Sequence, residues 1–255
     1  MFPTIGPIST YTLLIDLGVI ATLVWLWHQA GVAGCNPRRW LDIGLATTAG
    51  ALIGARIAFV LINWAYFATH LGEAFAIWRG GLAWSGAVFG GLAVLGVACY
   101  LLHEPFLPLF NAFAPAVLLL SALNWAGCAA TGCAPGLEVP PGTLPIAVFW
   151  PDEYGVEALR WPTQLLGVGF SLLALGWWFS RRTTNWPTGF HTVLAIGIVA
   201  VIGIILSTVR GDDIQQVGNY RLDTVLNGLM LLMAVAGGGL LWAFTRAETA
   251  HAPTR

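Results

Sequence analysis

The chain has 255 residues, 57% of them apolar and 9% charged, with 13 tryptophans and no lysine. A soluble domain carries roughly 25% charged residues, so this composition excludes a soluble globule and calls for a polytopic membrane protein. A formal net charge of −1 leaves no basic patch to neutralise phosphates, which excludes a nucleic-acid partner.

Taken in order, seven stretches are long enough to cross about 30 Å of hydrocarbon. They lie near 10–28, 43–66, 84–102, 108–129, 164–180, 190–208 and 224–244. The expected fold is an all-α membrane protein, one polytopic domain over 1–255 with seven transmembrane helices. The opening Phe-Pro-Thr-Ile-Gly-Pro reads as an interfacial lead-in, because it has neither the basic n-region nor the cleavage site of a signal peptide. The fourth span starts at Pro108 and carries Pro115 and Asn124, so its ends are the hardest to place.

Arginine pairs set the orientation. Arg38 and Arg39 follow span one, Arg181 and Arg182 follow span five, and Arg246 and Arg255 follow span seven, whereas Arg79, Arg160, Arg210 and Arg221 are scattered singly on the other side. The paired side is cytoplasmic, which puts the N-terminus outside and the C-terminus inside. Acidic residues crowd the outer loops, among them Glu138, Asp152, Glu153, Glu157, Asp212, Asp213 and Asp223. The longest outer loop, about 130–162, holds four prolines from Pro135 to Pro145 and the apolar patch Ile146–Trp150. A long loop of that kind usually has work to do.

Ionisable residues within spans are functional candidates, because burying them is costly. Asp16 and Arg56 are two such residues. They either pair with each other to hold the bundle, or Arg56 lines a headgroup pocket. Arg210 opens Arg-Gly-Asp-Asp at the outer end of span six. A guanidinium there snorkels to lipid, bridges to Asp212 or Asp213, or offers its planar fork to a phosphate. The stretch Trp78–Gly91 carries glycines 80, 81, 86, 90 and 91. It is either a close helix crossing or irregular backbone lining a cavity.

Four cysteines divide by side: Cys35 is cytoplasmic, Cys99 lies deep in span three, and Cys128 and Cys133 end span four. Five residues apart on a helix is about 140°, so a bridge between the last two requires the helix to break, as Gly132 and Pro135 permit. A helix end built from small residues is the alternative. His28, His70, His103, His191 and His251 are dispersed, and no metal site or other cofactor is expected.

Several of these pieces together resemble the phosphatidylglycerol–prolipoprotein diacylglyceryl transferase family of the bacterial inner membrane. Ile5-Gly6-Pro7-Ile8-Ser9-Thr10-Tyr11 resembles the family's entry to span one, and Gly54-Ala55-Arg56-Ile57 resembles its second-span motif. Trp78 to Gly91 is similar to its Trp-x-Gly-Gly-Leu signature, Pro162-Thr163-Gln164-Leu165 to the Pro-Thr-Gln-Leu opening span five, and Arg210-Gly211-Asp212 to its last loop. The chain departs from the family at Ser85, where the signature has histidine. It also departs at Asn124-Trp125-Ala126-Gly127-Cys128, where the family reads Gly-Arg-x-Gly-Asn.

The resemblance implies transfer of a diacylglyceryl group from phosphatidylglycerol to a cysteine thiol of a lipoprotein precursor. Arg210 would clamp the phosphate where charge develops, Tyr11 would orient the headgroup, and Ser85 would offer a hydrogen bond. Arg56, Gly80, Gly81, Gly86, Gln164 and Asp212 would bind lipid, with Asp212 or Asp213 as candidate base. The expected partners are membrane phospholipid and the precursor's signal peptide. Because Ser85 and Trp125 replace polar anchors, a second function stays open: a catalytically degenerate subunit or lipid-binding scaffold of a larger membrane complex.

Overall fold

The computed structural model describes residues 4–5, 8–77, 80–142, 145–152 and 154–251, apart from the side chains at 5, 8 and 247–251. Gly6, Pro7, Trp78, Arg79, Glu153 and Arg255 lie outside the described residues. The helices are α1 (Thr10–Val32), α2 (Pro37–Ile62), the single turn α3 (Trp64–Phe67), α4 (Trp84–Leu102), α5 (Phe106–Ala112), α6 (Ala114–Thr131), α7 (Thr163–Arg181), α8 (Phe190–Ser207) and α9 (Leu222–His251). Among the described residues seven stretches have the length and apolarity of a membrane span, with α5 and α6 together making the fourth.

The expected spans are all present, and their ends shift for local reasons. Span two starts at Pro37 because Asn36 caps it, its side chain accepting from the Arg38 amide with proline at the first position, a favoured helix start. Span four is broken at Phe113. Pro115 has no N–H for the carbonyl four residues back, which is that of Asn111. The Thr192 hydroxyl donates to that carbonyl instead (3.3 Å), and the Asn111 side chain accepts from the Gly189 amide (3.0 Å). A break inside the bilayer is tolerable only where freed groups are satisfied again by protein.

Packing divides the chain into two compact units, residues 23–110 and residues 1–22 with 111–255. In the first, α2 crosses α4 on glycines. Gly50 and Gly54 on one helix meet Gly86 and Gly90 on the other, and a Cβ at Gly54 would stand 2.7 Å from the Gly90 Cα. Small residues four apart on both helices let the backbones touch and gain dispersion energy, which drives association in lipid.

In the second unit, α6 packs on α7 and α8, and α8 on α9. Hydroxyl pairs tie the helices where no water competes: Ser121 with Ser171 (3.0 Å) and Ser207 with Thr224 (2.7 Å). Trp125 packs with Ile202 and Leu206, and Gly167 makes room for its ring. Large side chains such as Leu173 and Leu232 point outward, as a surface facing lipid requires.

Candidate functional site

In the unit of residues 1–22 and 111–255, the segments outside the helices build a small collar. Strands β1 (Val148–Pro151) and β2 (Glu157–Arg160) pair antiparallel. The segment 135–139 lies against β2 through Val139 N to Leu159 O (2.9 Å) and Trp161 N to Leu137 O (3.1 Å). Its other edge takes the chain leaving α8, through Leu137 N to Val209 O and Gly211 N to Pro135 O (both 2.8 Å). Residues 135–139 of the long outer loop thus lie between two extended neighbours, with Gly136 opposite Arg210 and Glu138 opposite Arg160. Gly136 allows this because its Cα lies against the Trp161 carbonyl, where a side chain would collide.

The collar is fixed to the helices by the residues the sequence singled out. Gly132 ends α6 with φ +83°, a left-handed turn suited to glycine. The chain doubles back there, and a disulfide joins Cys128 to Cys133 with their Cα atoms 4.6 Å apart. Thr163 and Gln164 are buried. The threonine hydroxyl donates to the Ala134 carbonyl (2.9 Å) and the Gln164 amide to the Cys133 carbonyl (3.0 Å). Gln164, expected to bind lipid, is buried and holds the returning chain.

Of the roles open to Arg210, its contacts show the bridge to carboxylates. Its Nε donates to Asp212 Oδ1 (2.9 Å) and its Nη2 to the other oxygen of that carboxylate, while Nη1 pairs with Asp223 (3.1 Å). Arg221 completes the square, meeting Asp212 at 3.0 Å and Asp223 at 3.2 Å. Two cations and two anions balance here, which is the local-bridge alternative in enlarged form. Burial on its own would raise the Asp212 carboxyl pKa; the hydrogen bond and charge of Arg210, with the charge of Arg221, outweigh it and hold the pKa below its ordinary value. Asp213 is exposed to solvent. Arg221 and Asp223 escaped the sequence reading as site residues, although an acidic residue in the first turn of α9 suits the positive end of a helix.

Tyr11, in the first turn of α1, donates its phenolic proton to Asn124 Oδ1 on α6 (2.6 Å), and its ring lies on Gly127. In the family pattern the next residue, Trp125, stands at the arginine position; here it is 8% exposed and part of the apolar core.

The unit of residues 23–110 has a polar site of its own around Arg56, which is 8% exposed. Its Nε donates to Ala74 O (2.8 Å), Nη1 to Gly80 O (2.7 Å) and Gly81 O (3.0 Å), and Nη2 to Glu73 O (2.6 Å). The rings of Phe59 and Phe67 each lie 5.5 Å from the guanidinium carbon. A guanidinium has five N–H groups; four serve carbonyls, so a cage of backbone dipoles surrounds the buried cation. A cavity of about 170 Å³ opens beside it, lined by Arg56, Phe59, Phe67, Glu73, Gly80 and Gly81. Gly80 and Gly81 have φ of +83° and +76°, a conformation that turns both carbonyls onto Arg56 and that glycine adopts at little cost. Gly86, expected to bind lipid, sits in the α2–α4 crossing, and Ser85 is buried beside it in the first turn of α4.

The sequence matches the family profile described as prolipoprotein diacylglyceryl transferase over residues 1–242. The chain belongs to that family. It is 32% identical to the phosphatidylglycerol–prolipoprotein diacylglyceryl transferase of Streptococcus equi subsp. equi over 91% of this chain and 90% of the relative. The enzyme of the same name from Nitratidesulfovibrio vulgaris is 27% identical over 95% and 91%. That from Lactobacillus delbrueckii subsp. bulgaricus is 28% identical over 93% and 87%. The family is one of transferases of lipoprotein biosynthesis, and the seven apolar helices make this member a multi-pass protein of the bacterial inner membrane.

Proposed function

We propose that the protein transfers the diacylglyceryl group of phosphatidylglycerol to the cysteine thiol of a lipoprotein precursor at the outer leaflet. A thiolate attacks the glyceryl carbon that carries the phosphate ester. The carbon–sulfur bond forms as the carbon–oxygen bond breaks, and the leaving glycerol phosphate takes the electron pair. The family match over residues 1–242 supports the reaction class, and the single arginines on the outer side support the leaflet.

The observation that carries the reading is Arg56. Among the described residues its hydrogen bonds go to carbonyls and none to a carboxylate. Dipoles make a buried cation tolerable without cancelling its charge, and a unit anion about 4 Å away gains about 4 kcal/mol at the effective dielectric of such sites. The adjacent cavity is where a lipid phosphate would collect that gain, with more of it as charge builds on the leaving group. Arg210, balanced by Asp212 and Asp223, is assigned to holding the collar together.

The test is rescue of lipidation in cells depleted of their own transferase. The wild-type chain should restore thioether-linked lipid on a reporter precursor, and Arg56→Ala should not. A second reading, a lipid-binding subunit without catalysis, is favoured by Trp125, whose ring fills the core at the family's arginine position. Under that reading the wild-type chain fails to rescue and leaves gentle detergent with stoichiometric partners.

A further inference from the structure

The cavity beside Arg56 has two signs of charge. Arg56 is the cation, and Glu73 supplies the one carboxylate among the lining residues, from a short 3-10 helix over Leu71–Phe75. The Glu73 carbonyl accepts from Arg56 Nη2 at 2.6 Å, so the cage uses the backbone of this residue and has no need of its side chain. That side chain has a contact of its own: Glu73 Oε2 accepts the Tyr66 phenolic proton at 3.0 Å. The Tyr66 ring packs edge-on against Phe67, a wall of the cavity, with ring centres 5.2 Å apart. A carboxylate has two oxygens and about four lone-pair sites, so one phenol leaves it capacity for donors on a ligand. The cavity volume of about 170 Å³ is several times a water's share of about 30 Å³, which gives room for a small group beyond a phosphate.

We infer that Glu73 is a specificity-determining residue of this cavity, its carboxylate accepting hydrogen bonds from the glycerol hydroxyls of the phosphatidylglycerol headgroup. The inference rests on the reading above, which sets the phosphate of that lipid against Arg56. The two residues divide the headgroup between them. Arg56 reads the anion, which every anionic phospholipid carries, and Glu73 reads the hydroxyls, which only some carry. A carboxylate near a bound phosphate weakens binding by like-charge repulsion, unless the ligand brings a donor to it. Glu73 therefore selects against an anionic headgroup that has no donor of its own.

The experiment measures lipid affinities of the purified full-length chain in nanodiscs, by native mass spectrometry. It compares phosphatidylglycerol with phosphatidylmethanol, a phosphodiester of the same charge whose head alcohol has no hydroxyl left. The wild type should prefer phosphatidylglycerol. Glu73→Ala should cut that preference about ten- to hundredfold, the range for one hydrogen bond to a charged group. It should do so with opposite signs, weakening phosphatidylglycerol and strengthening phosphatidylmethanol as the repulsion disappears. Glu73→Gln keeps an acceptor oxygen without the charge and should keep part of the preference. Tyr66→Phe, which removes the phenol and leaves the acceptor, should keep most of it. Phosphatidylethanolamine, whose ammonium is also a donor, is the third lipid.

The inference is overturned if the wild type does not discriminate, if the ratio survives Glu73→Ala, or if Glu73→Ala lowers both affinities in parallel. Parallel loss is the signature of a packing role, and so is a Tyr66→Phe variant that reproduces Glu73→Ala. A wild type that prefers phosphatidylethanolamine to phosphatidylglycerol would also overturn it, because the carboxylate would then serve an ammonium. Arg56→Ala separates this inference from the reading beneath it, since loss of the cation should weaken both anionic lipids. Unchanged binding in Arg56→Ala would sink the headgroup site itself. Weakened binding there, with the ratio intact in Glu73→Ala, would sink only the role of Glu73.

Discussion

Gly54 on α2 and Gly86 on α4 lie backbone to backbone, each Cα pressed on the other's carbonyl with no space for a methyl group. Valine at either position would have to push two helices apart at backbone, not at the yielding end of a side chain. Overpacking of this kind costs about 1–3 kcal/mol or more. Gly54→Val and Gly86→Val should therefore lower the melting temperature in detergent by several degrees. Gly96→Ala, on α4 with nothing within 4 Å, should leave it unchanged or slightly raised. A Gly86→Val protein as stable as the wild type would show that the crossing is looser than these contacts.

Arg56 can be separated into its charge and its geometry. Lysine keeps the charge but has three donors on one nitrogen, and cannot serve four carbonyls spread over residues 73–81. Arg56→Lys should expose the 71–81 segment to protease while retaining part of the lipid binding. Arg56→Ala should lose both, with transfer down about 30- to 150-fold if the anion contact is worth about 2–3 kcal/mol. If Arg56→Ala frees the segment and leaves transfer intact, the cavity is not the headgroup site.

Asp212 gives a pH dependence with a definite sign. Its folded pKa lies below the ordinary carboxylate value, which is about 3.9. The stability it contributes is then fully present above that value and is lost as pH falls through the folded value. At pH 7 Asp212→Asn should melt below the wild type, by about 1–3 kcal/mol for a charged group left with unmatched partners. The two melting curves should converge as pH is lowered past the ordinary carboxylate range. A gap that persists undiminished well below that range would mean the loss comes from packing, not from ionisation.

How much of this was legible follows from where each partner is written in the chain. The spans were readable because run length and apolarity are local properties, whereas Pro115 had marked only that the ends of span four were hard to place, not the break at Phe113. The Arg56 cage was not readable, since its partners are four backbone carbonyls, which carry no side-chain signature. The Arg210–Asp212–Asp223–Arg221 square was half visible: Arg210 and Asp212 are neighbours in sequence, whereas the other two are brought in across the loop leading into α9. The glycines of the signature stretch divided between both readings offered for them. Gly80 and Gly81 serve the cavity and Gly86 and Gly90 the crossing, a division set by where α4 begins.

The Cys128–Cys133 bridge closes a short loop at the point where α6 ends and the collar begins. In the chain-entropy account a ring of this size contributes about 2 kcal/mol by restricting the unfolded chain. Its second effect is local: the Cys133 carbonyl, held by Gln164, leads directly into the segment paired with Arg210. The double variant Cys128→Ser with Cys133→Ser should lose stability by about that amount. Protection of the Leu137 and Gly211 amides against hydrogen exchange should fall before that of α6. Reductant should reproduce both effects in the wild type and add nothing to the double variant, whose remaining thiols, Cys35 and Cys99, lie in the other unit. If reductant destabilises the double variant equally, the bridge is not the group that responds.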